Sequence, residues 1–263
     1  MAKMNEIVAF GKIHKTGSYY MIMPRYGENL CEYFNKTGQR MSRFSVLAIG
    51  RAILEAFEKV HSYGYTYNDL KPDNILIGFD QKIGEDLSKN VFKNVSLHLI
   101  DFGFAESFLD QDEEHISKYS TNVFRGNTVF ASRNQMNFRA TSRRDDLQSL
   151  VYLMAFFLKD GEFLDFDYSK LQNQTEEHLF KKTKASKLKM TDEEICSGKA
   201  LCILEFAREV NQIKFSEKPD YDKLRNLLTD IIDIEEVPEE TEHNEPRNFI
   251  TKESNICSNF NYF

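Results

Sequence analysis

Asp69-Leu-Lys-Pro-Asp-Asn74 and, further along the chain, Asp101-Phe-Gly103 are the stretches whose reading decides the fold. Between them run Ile75-Leu-Ile77 and Leu97-His-Leu-Ile100, short apolar segments of strand type bounded by polar connections. Asp69 and Asp73 around Pro72 alone would read as an ordinary turn. That reading leaves the second acidic motif unexplained, whereas two motifs in this order around a strand pair describe one site built from two loops.

Composition sets bounds. The chain has 263 residues, 41% of them hydrophobic and 13% aromatic, enough for one large domain with a substantial core. Net charge is −7, but Asp233–Arg247 carries seven acids against one Arg and so supplies −6 of it. The remainder is near neutral and has no basic arm, which speaks against nucleic acid as a ligand. Cys31, Cys196, Cys202 and Cys257 form no C-x-x-C pair and read as reduced thiols of an intracellular protein, cytoplasmic or nuclear. Met1–Phe10 lacks the apolar core of a signal peptide. The longest apolar run, Leu150–Leu158, is nine residues, too short to span a bilayer, so no membrane association is expected.

The hydrophobic pattern then orders the chain. Ile7–Phe10 and Ser18–Met23 read as two short strands joined at Lys15-Thr-Gly17. From Arg43 to His61 the apolar residues Val46, Leu47, Ile53, Leu54, Phe57 and Val60 recur at three- and four-residue steps, predicting an amphipathic helix closed by Gly64. Arg144–Leu158 is apolar on nearly all sides and predicts a central helix. Further helices are predicted at Tyr168–Lys181, Lys199–Gln212 and Asp220–Ile232, the last starting after Pro219 with Leu224, Leu227, Leu228 and Ile231 on one face. Residues 233–263 read as an acidic flexible tail. No internal repeat is visible.

The two motifs resemble the catalytic loop and the metal-holding D-F-G of protein kinases, and what that resemblance implies is phosphoryl transfer, which needs an aligned hydroxyl, neutralised phosphate charge and excluded water rather than covalent work. Asp69 is the candidate to orient a hydroxyl and accept its proton. Lys71 offers an ammonium to the transferred group. Asn74 and Asp101 offer oxygen ligands of the kind Mg²⁺ takes.

On these motifs the chain resembles the casein kinase 1 group of Ser/Thr protein kinases, with features of the vaccinia-related kinases. The resemblance also rests on Met21-Ile-Met-Pro-Arg-Tyr-Gly27, Ser142-Arg-Arg-Asp-Asp-Leu147, Lys218-Pro-Asp-Tyr221, and Gly126 with Phe130-Ala-Ser132. It spans Ile7 to Ile232. It implies an α+β protein-kinase-like fold: a mainly helical C-lobe over 27–232 and a rudimentary β N-lobe with hinge over 1–26. The implied cofactors are ATP and Mg²⁺. Met23 would be the gatekeeper of the adenine pocket, Pro24 and Tyr26 the hinge, and Leu76 its floor. Asp146 would hold the Tyr67–Asn68 turn, and Phe102 would pack beneath Tyr67. The segment 104–131 would be the activation segment.

The chain departs from that family most where a nucleotide lid is expected. No G-x-G-x-x-G occurs, and the glycines ahead of the catalytic loop (Gly11, Gly17, Gly27, Gly38, Gly50, Gly64) have the wrong spacing. Val8-Ala-Phe-Gly-Lys12 echoes the strand that carries the phosphate-pairing Lys, but ten residues between Lys12 and Met23 leave no room for a regulatory helix. Asn68 stands where a phosphate-pairing Arg is usual, Asn127 follows Gly126 in place of Thr, and Val129 replaces an acid-binding Arg. Asp110, Asp112, Glu113 and Glu114 read as a solvated loop. The expectation is a Ser/Thr kinase domain, weak or inactive as this chain, or alternatively a pseudokinase serving as scaffold or structural subunit. Its partners would be a protein substrate or scaffold partner, including a polypeptide covering the apolar side left by the reduced N-lobe.

Overall fold

A computed structural model describes residues 2–4, 7–84, 86, 89–162 and 175–233, those at 2–4, 176 and 230–233 as backbone only. The core is helical. α2 (Arg43–Ser62) starts at Ser42, whose hydroxyl accepts the Ser45 N–H, and buries Val46, Leu47, Ile53, Leu54, Phe57 and Val60. The chain leaves it through Tyr63 and Gly64, the latter at φ +82°. α4 (Arg143–Leu158) is buried continuously from Leu147 to Leu158 apart from Gln148, as its all-round apolar sequence requires. The two helices pack closely at Gly50, where a Cβ would overlap Met154 Sδ. α8 (Tyr221–Asp233) also packs along α2, with Leu224 and Leu228 fully enclosed. α7 (Leu204–Gln212) completes this layer against α4.

The predicted helix over 168–181 falls partly on residues outside those described. The helix observed there is α5 (Glu176–Lys189), started by Thr175, whose hydroxyl accepts the His178 N–H. The stretch predicted as one helix from Lys199 divides into a 3₁₀ turn, Gly198–Ile203, and α7. Three short helices went unpredicted: α1 (Leu30–Lys36), α3 (Arg133–Met136) and α6 (Asp192–Ile195). Each begins with a reciprocal capping box, Asn29 with Glu32, Ser132 with Gln135 and Thr191 with Glu194, a signal legible in the sequence. The acidic stretch beyond Asp233 lies outside the described residues.

The described residues form three small sheets beside the helices. β2 (Ala9–Lys12) and β3 (Tyr19–Ile22) form the expected antiparallel hairpin, Phe10 opposite Met21. The described residues leave both faces largely open: Phe10 and Tyr19 on one face are each 81% exposed, and Tyr20 and Ile22 on the other are 43% and 50% exposed. β5 (Ile75–Ile77) pairs antiparallel with β6 (Leu97–Leu99). β1 (Ala2–Met4) adds to the free edge of β6 in parallel, so the start of the chain pairs within the helical lobe's sheet, where it occupies edge N–H and C=O groups. β4 (Tyr65–Thr66) pairs with β7 (Glu106–Ser107).

Candidate active site

The β5–β6 register assembles the site. Ile75 opposes Leu99, and the Ile100 N–H donates to the Asn74 carbonyl at 3.0 Å. Asn74, which ends the loop before β5, and Asp101, which follows β6, therefore emerge at the same end of the strand pair. A 3₁₀ turn over Pro72–Asn74 brings the Asn74 side chain back onto Asp69. Its Nδ2 donates to the Asp69 carbonyl and to Asp69 Oδ2, both at 3.0 Å. These bonds commit the donor end of the amide and leave its oxygen, the atom a hard cation takes.

Asp69 is fully enclosed. Lys71 Nζ lies 3.3 Å from its Oδ2, and the Lys side chain is only 5% exposed. Burial pushes the Asp69 carboxyl above its ordinary range, against the pull of Lys71 and Asn74 toward ionisation. Asp69 Oδ1 is buried without a hydrogen-bond partner among the described residues. An orphaned carboxylate oxygen held rigid on its other side is an acceptor waiting for a donor. Asp101 is exposed, in a left-handed backbone conformation (φ +58°), and its Oδ1 accepts the Gly103 N–H at 3.2 Å. Backbone strain at a non-Gly residue of this kind concentrates at functional sites.

The loop carrying Asp69 is braced from below. Asp146, in the first turn of α4, is 1% exposed and accepts from Tyr67 N at 2.7 Å and Asn68 N at 2.8 Å. His61 Nε2 also reaches Asp146 Oδ2, at 2.9 Å, and His61 Nδ1 lies 2.6 Å from the Tyr221 hydroxyl. For a neutral imidazole the carboxylate places the proton on Nε2, and Nδ1 accepts from Tyr221. Three helices thus meet at one carboxylate. Tyr67 donates its hydroxyl to the Ile100 carbonyl at 2.5 Å, and Phe102 packs edge-on against its ring at 5.2 Å. Asn68 is turned inward, donating to Thr66 Oγ1 and the Phe104 carbonyl.

Of the residues assigned to the adenine site, Tyr26 and Leu76 are brought together. Leu76 alternates with the buried Ile75 and Ile77 and so faces away from the core beside its register partner His98, whose ring lies 4.4 Å from that of Tyr26. Gly27 N–H donates to Ile77 O at 2.8 Å, and Ile77 N–H to Glu28 O at 2.9 Å, stitching the connection from β3 to β5. Met23 and Pro24 lie on that connection, Met23 half-buried and Pro24 exposed.

The loop after Arg125 is tied directly to the loop that carries Asp69, which the sequence did not reveal. Gly126 has φ +97°, and a Cβ there would overlap the Asn68 carbonyl. Asn127 Nδ2 donates to Leu70 O at 2.9 Å while its Oδ1 accepts the Phe130 N–H at 2.8 Å. Arg125 pairs with Glu106. Lys187, from α5, is fully buried and donates to Thr128 O (3.2 Å) and Ala131 O (2.6 Å), its ammonium 4.5 Å above the Tyr152 ring. Burial holds its amine far below the usual Lys range. Asp110 accepts from Asp112 N and Glu114 N, as a solvated turn would.

Among the described residues no cluster of three or more His, Cys, Asp or Glu offers a metal cage. The Asn74–Asp101 pair fits instead the habit of Mg²⁺, which takes one or two protein oxygens and completes its shell with water and phosphate. No helix among the described residues is long and apolar enough to cross a membrane.

Residues 1–235 match the family model of the protein kinase domain. A curated relative, "Casein kinase 1-like protein HD16" of Oryza sativa subsp. japonica, is 30% identical over 222 residues, covering 83% of this chain and 29% of the relative. The chain thus spans less than a third of that relative's length.

Proposed function

The chain belongs to the protein kinase domain family, and from that premise we propose that it is a casein kinase 1-like Ser/Thr protein kinase domain, weak or inactive as these 263 residues. One observation carries the reading: Asp69 sits buried with one oxygen unpartnered among the described residues, its other oxygen held by Lys71 and Asn74, beside Asp101. Asp69 Oδ1 would accept the hydrogen bond of a substrate hydroxyl, orient it and take its proton. Lys71 would neutralise charge on the group being transferred. Asn74 and Asp101 would hold Mg²⁺, which when bound shields the phosphate charge of ATP. Met23, Pro24, Tyr26 and Leu76 would receive the adenine.

Weakness follows from what the 263 residues lack. Lid glycines and the phosphate-pairing Lys with its Glu are not in the sequence, and each preorganised charge lost costs roughly 10²–10³ in rate. An uncovered site also admits water. With Mg-ATP and a generic Ser/Thr peptide, turnover should fall far below the roughly 1–100 s⁻¹ of active kinases. The residual rate should vanish in Asp69→Ala, and weak nucleotide binding in Asp101→Ala. A full kinase rate would overturn the need for a lid; no nucleotide binding with any divalent metal would leave the scaffold reading.

That second reading, a pseudokinase scaffold or structural subunit, is favoured by the β2–β3 hairpin, exposed on both faces. An isolated two-stranded hairpin is marginal in water. Its apolar surface suits a polypeptide that completes the lobe, from elsewhere in a longer chain or from a partner.

A further inference from the structure

A cavity of about 650 Å³ opens between α1, the connection at Gly27 and Glu28, and the turn that follows β5. None of the residues assigned above to nucleotide, metal or hydroxyl lines it. Its volume is that of a site for a small organic molecule. Tyr33, Ile77 and Ile83 supply apolar wall, the first two buried and Ile83 half-buried. Tyr33 is the side chain that asks for a ligand. It is 7% exposed, and its ring meets Phe92 edge-on at 5.2 Å. Its hydroxyl is buried with no hydrogen-bond partner among the described residues. Burial, and then the nearby Glu28 carboxylate, raise this phenol above its ordinary range, so at neutral pH it is a protonated donor. A buried donor left unmet is costly, and an acceptor brought by a ligand would meet it.

The charges of the lining add a second requirement. Lys36 is its one basic side chain and is already paired with Glu28. Asp80 stands at the exposed rim and forms no ion pair with any described residue. Two acids against one Lys leave the lining one charge negative. From the inside outward the cavity therefore presents a hydroxyl donor in an apolar wall, then an uncompensated carboxylate.

We propose that this cavity is a binding site for a small organic cation, one with an apolar body, an oxygen acceptor for the Tyr33 hydroxyl and an ammonium for Asp80. Its wall is also the place where the connection from β3 is joined to β5. Gly27 N–H donates to Ile77 O, and Ile77 N–H to Glu28 O. An occupant in contact with these residues braces the same connection that carries Pro24 and Tyr26. The inference does not depend on the chain's phosphotransfer activity or on nucleotide binding.

The test titrates the full chain with 4-(aminomethyl)benzamide, which carries an ammonium and a carbonyl at opposite ends of a ring, and follows backbone amides by NMR. The Gly27, Gly78 and Gly84 amides should shift, with a Kd of about 4 mM or tighter for a fragment of this size. 4-Methylbenzamide, which lacks the ammonium, and 4-methylbenzylamine, which lacks the acceptor, should each bind at least about twofold more weakly. Tyr33→Phe should weaken the probe by about 2–10-fold, and Asp80→Asn by up to about fivefold. Because Tyr33→Phe deletes an unmet donor rather than a bond, its unfolding midpoint should not fall. A lowered midpoint would show the hydroxyl already bonded within the protein and overturns the proposal. So does an affinity that both substitutions leave unchanged, or the absence of shifts at a probe concentration about tenfold above that Kd. Shifts confined to Met23, Tyr26 and Leu76 would place the probe in the adenine site and overturn it equally.

Discussion

Replacing Asp146 with Asn tests whether the buried carboxylate organises the loop that carries Asp69. Asp146 accepts three hydrogen bonds, from Tyr67 N, Asn68 N and His61 Nε2. An amide has one acceptor oxygen, so its NH₂ must face one of the sites where a backbone N–H now donates. The least costly placement keeps the oxygen at the Tyr67 and His61 side and turns the NH₂ toward Asn68 N–H. That abolishes one charge-assisted bond and leaves a buried donor unsatisfied. Bonds to charged groups contribute about 1.5–3 kcal/mol and an orphaned buried donor costs about 1–3 kcal/mol, overlapping estimates of one loss. The expected destabilisation is therefore about 2–3 kcal/mol, which for a chain of this size lowers Tm by roughly 4–12 °C. Urea unfolding measures the first quantity. Hydrogen exchange should show the Asn68 amide losing protection more than amides inside α2. A variant within about 0.5 kcal/mol of the parent, with Asn68 exchange unchanged, would refute the assignment, since that is the range of neutral surface changes.

Gly126→Ala should destabilise by about 1–3 kcal/mol, because its backbone is left-handed and the added Cβ meets the Asn68 carbonyl; urea unfolding decides, and a neutral change would disprove the close approach. Residual phosphotransfer should fall off on the acid side at a pH above the usual carboxylate range, since burial raises the Asp69 carboxyl and its protonated form cannot accept a proton. Lys71→Met, which removes the ammonium that lowers it, should move that limb to still higher pH in a pH–rate profile, and an unmoved limb would show that Asp69 does not set it. The same sign governs stability: a raised carboxyl contributes stability below its unfolded pKa that is lost as pH rises through the folded one. Phe10→Ser with Tyr19→Ser should leave the unfolding free energy within about 0.5 kcal/mol, as both are exposed, while reducing self-association or partner capture in light scattering; a large loss of stability would mean the hairpin face is packed.

The sequence by itself picked out the residues proposed here to do chemistry and the faces that are apolar. The spacing within Asp69–Asn74 and the later Asp101-Phe-Gly103 identified the loops, because a motif is a local property of the chain. The three- and four-residue apolar steps of α2 and the unbroken apolar run of α4 located the core helices, because burial must follow helical period. What period reports is that a face is buried, not against what. Only the register of β5 on β6 decided that Asn74 and Asp101 share one end of a sheet. Only the crossing of α2, α4 and α8 brought His61 and Tyr221 to Asp146, residues separated by 85 and 160 positions from His61. The burial of Lys187 under the 128–131 loop ran against the ordinary preference of Lys for solvent, and two carbonyls with an aromatic face offset it. The pairing of Ser120 with Arg139 depended on an irregular segment finding a partner edge. Such contacts join distant stretches of chain, and their geometry is set when helices and strands pack, by constraints that no single stretch carries.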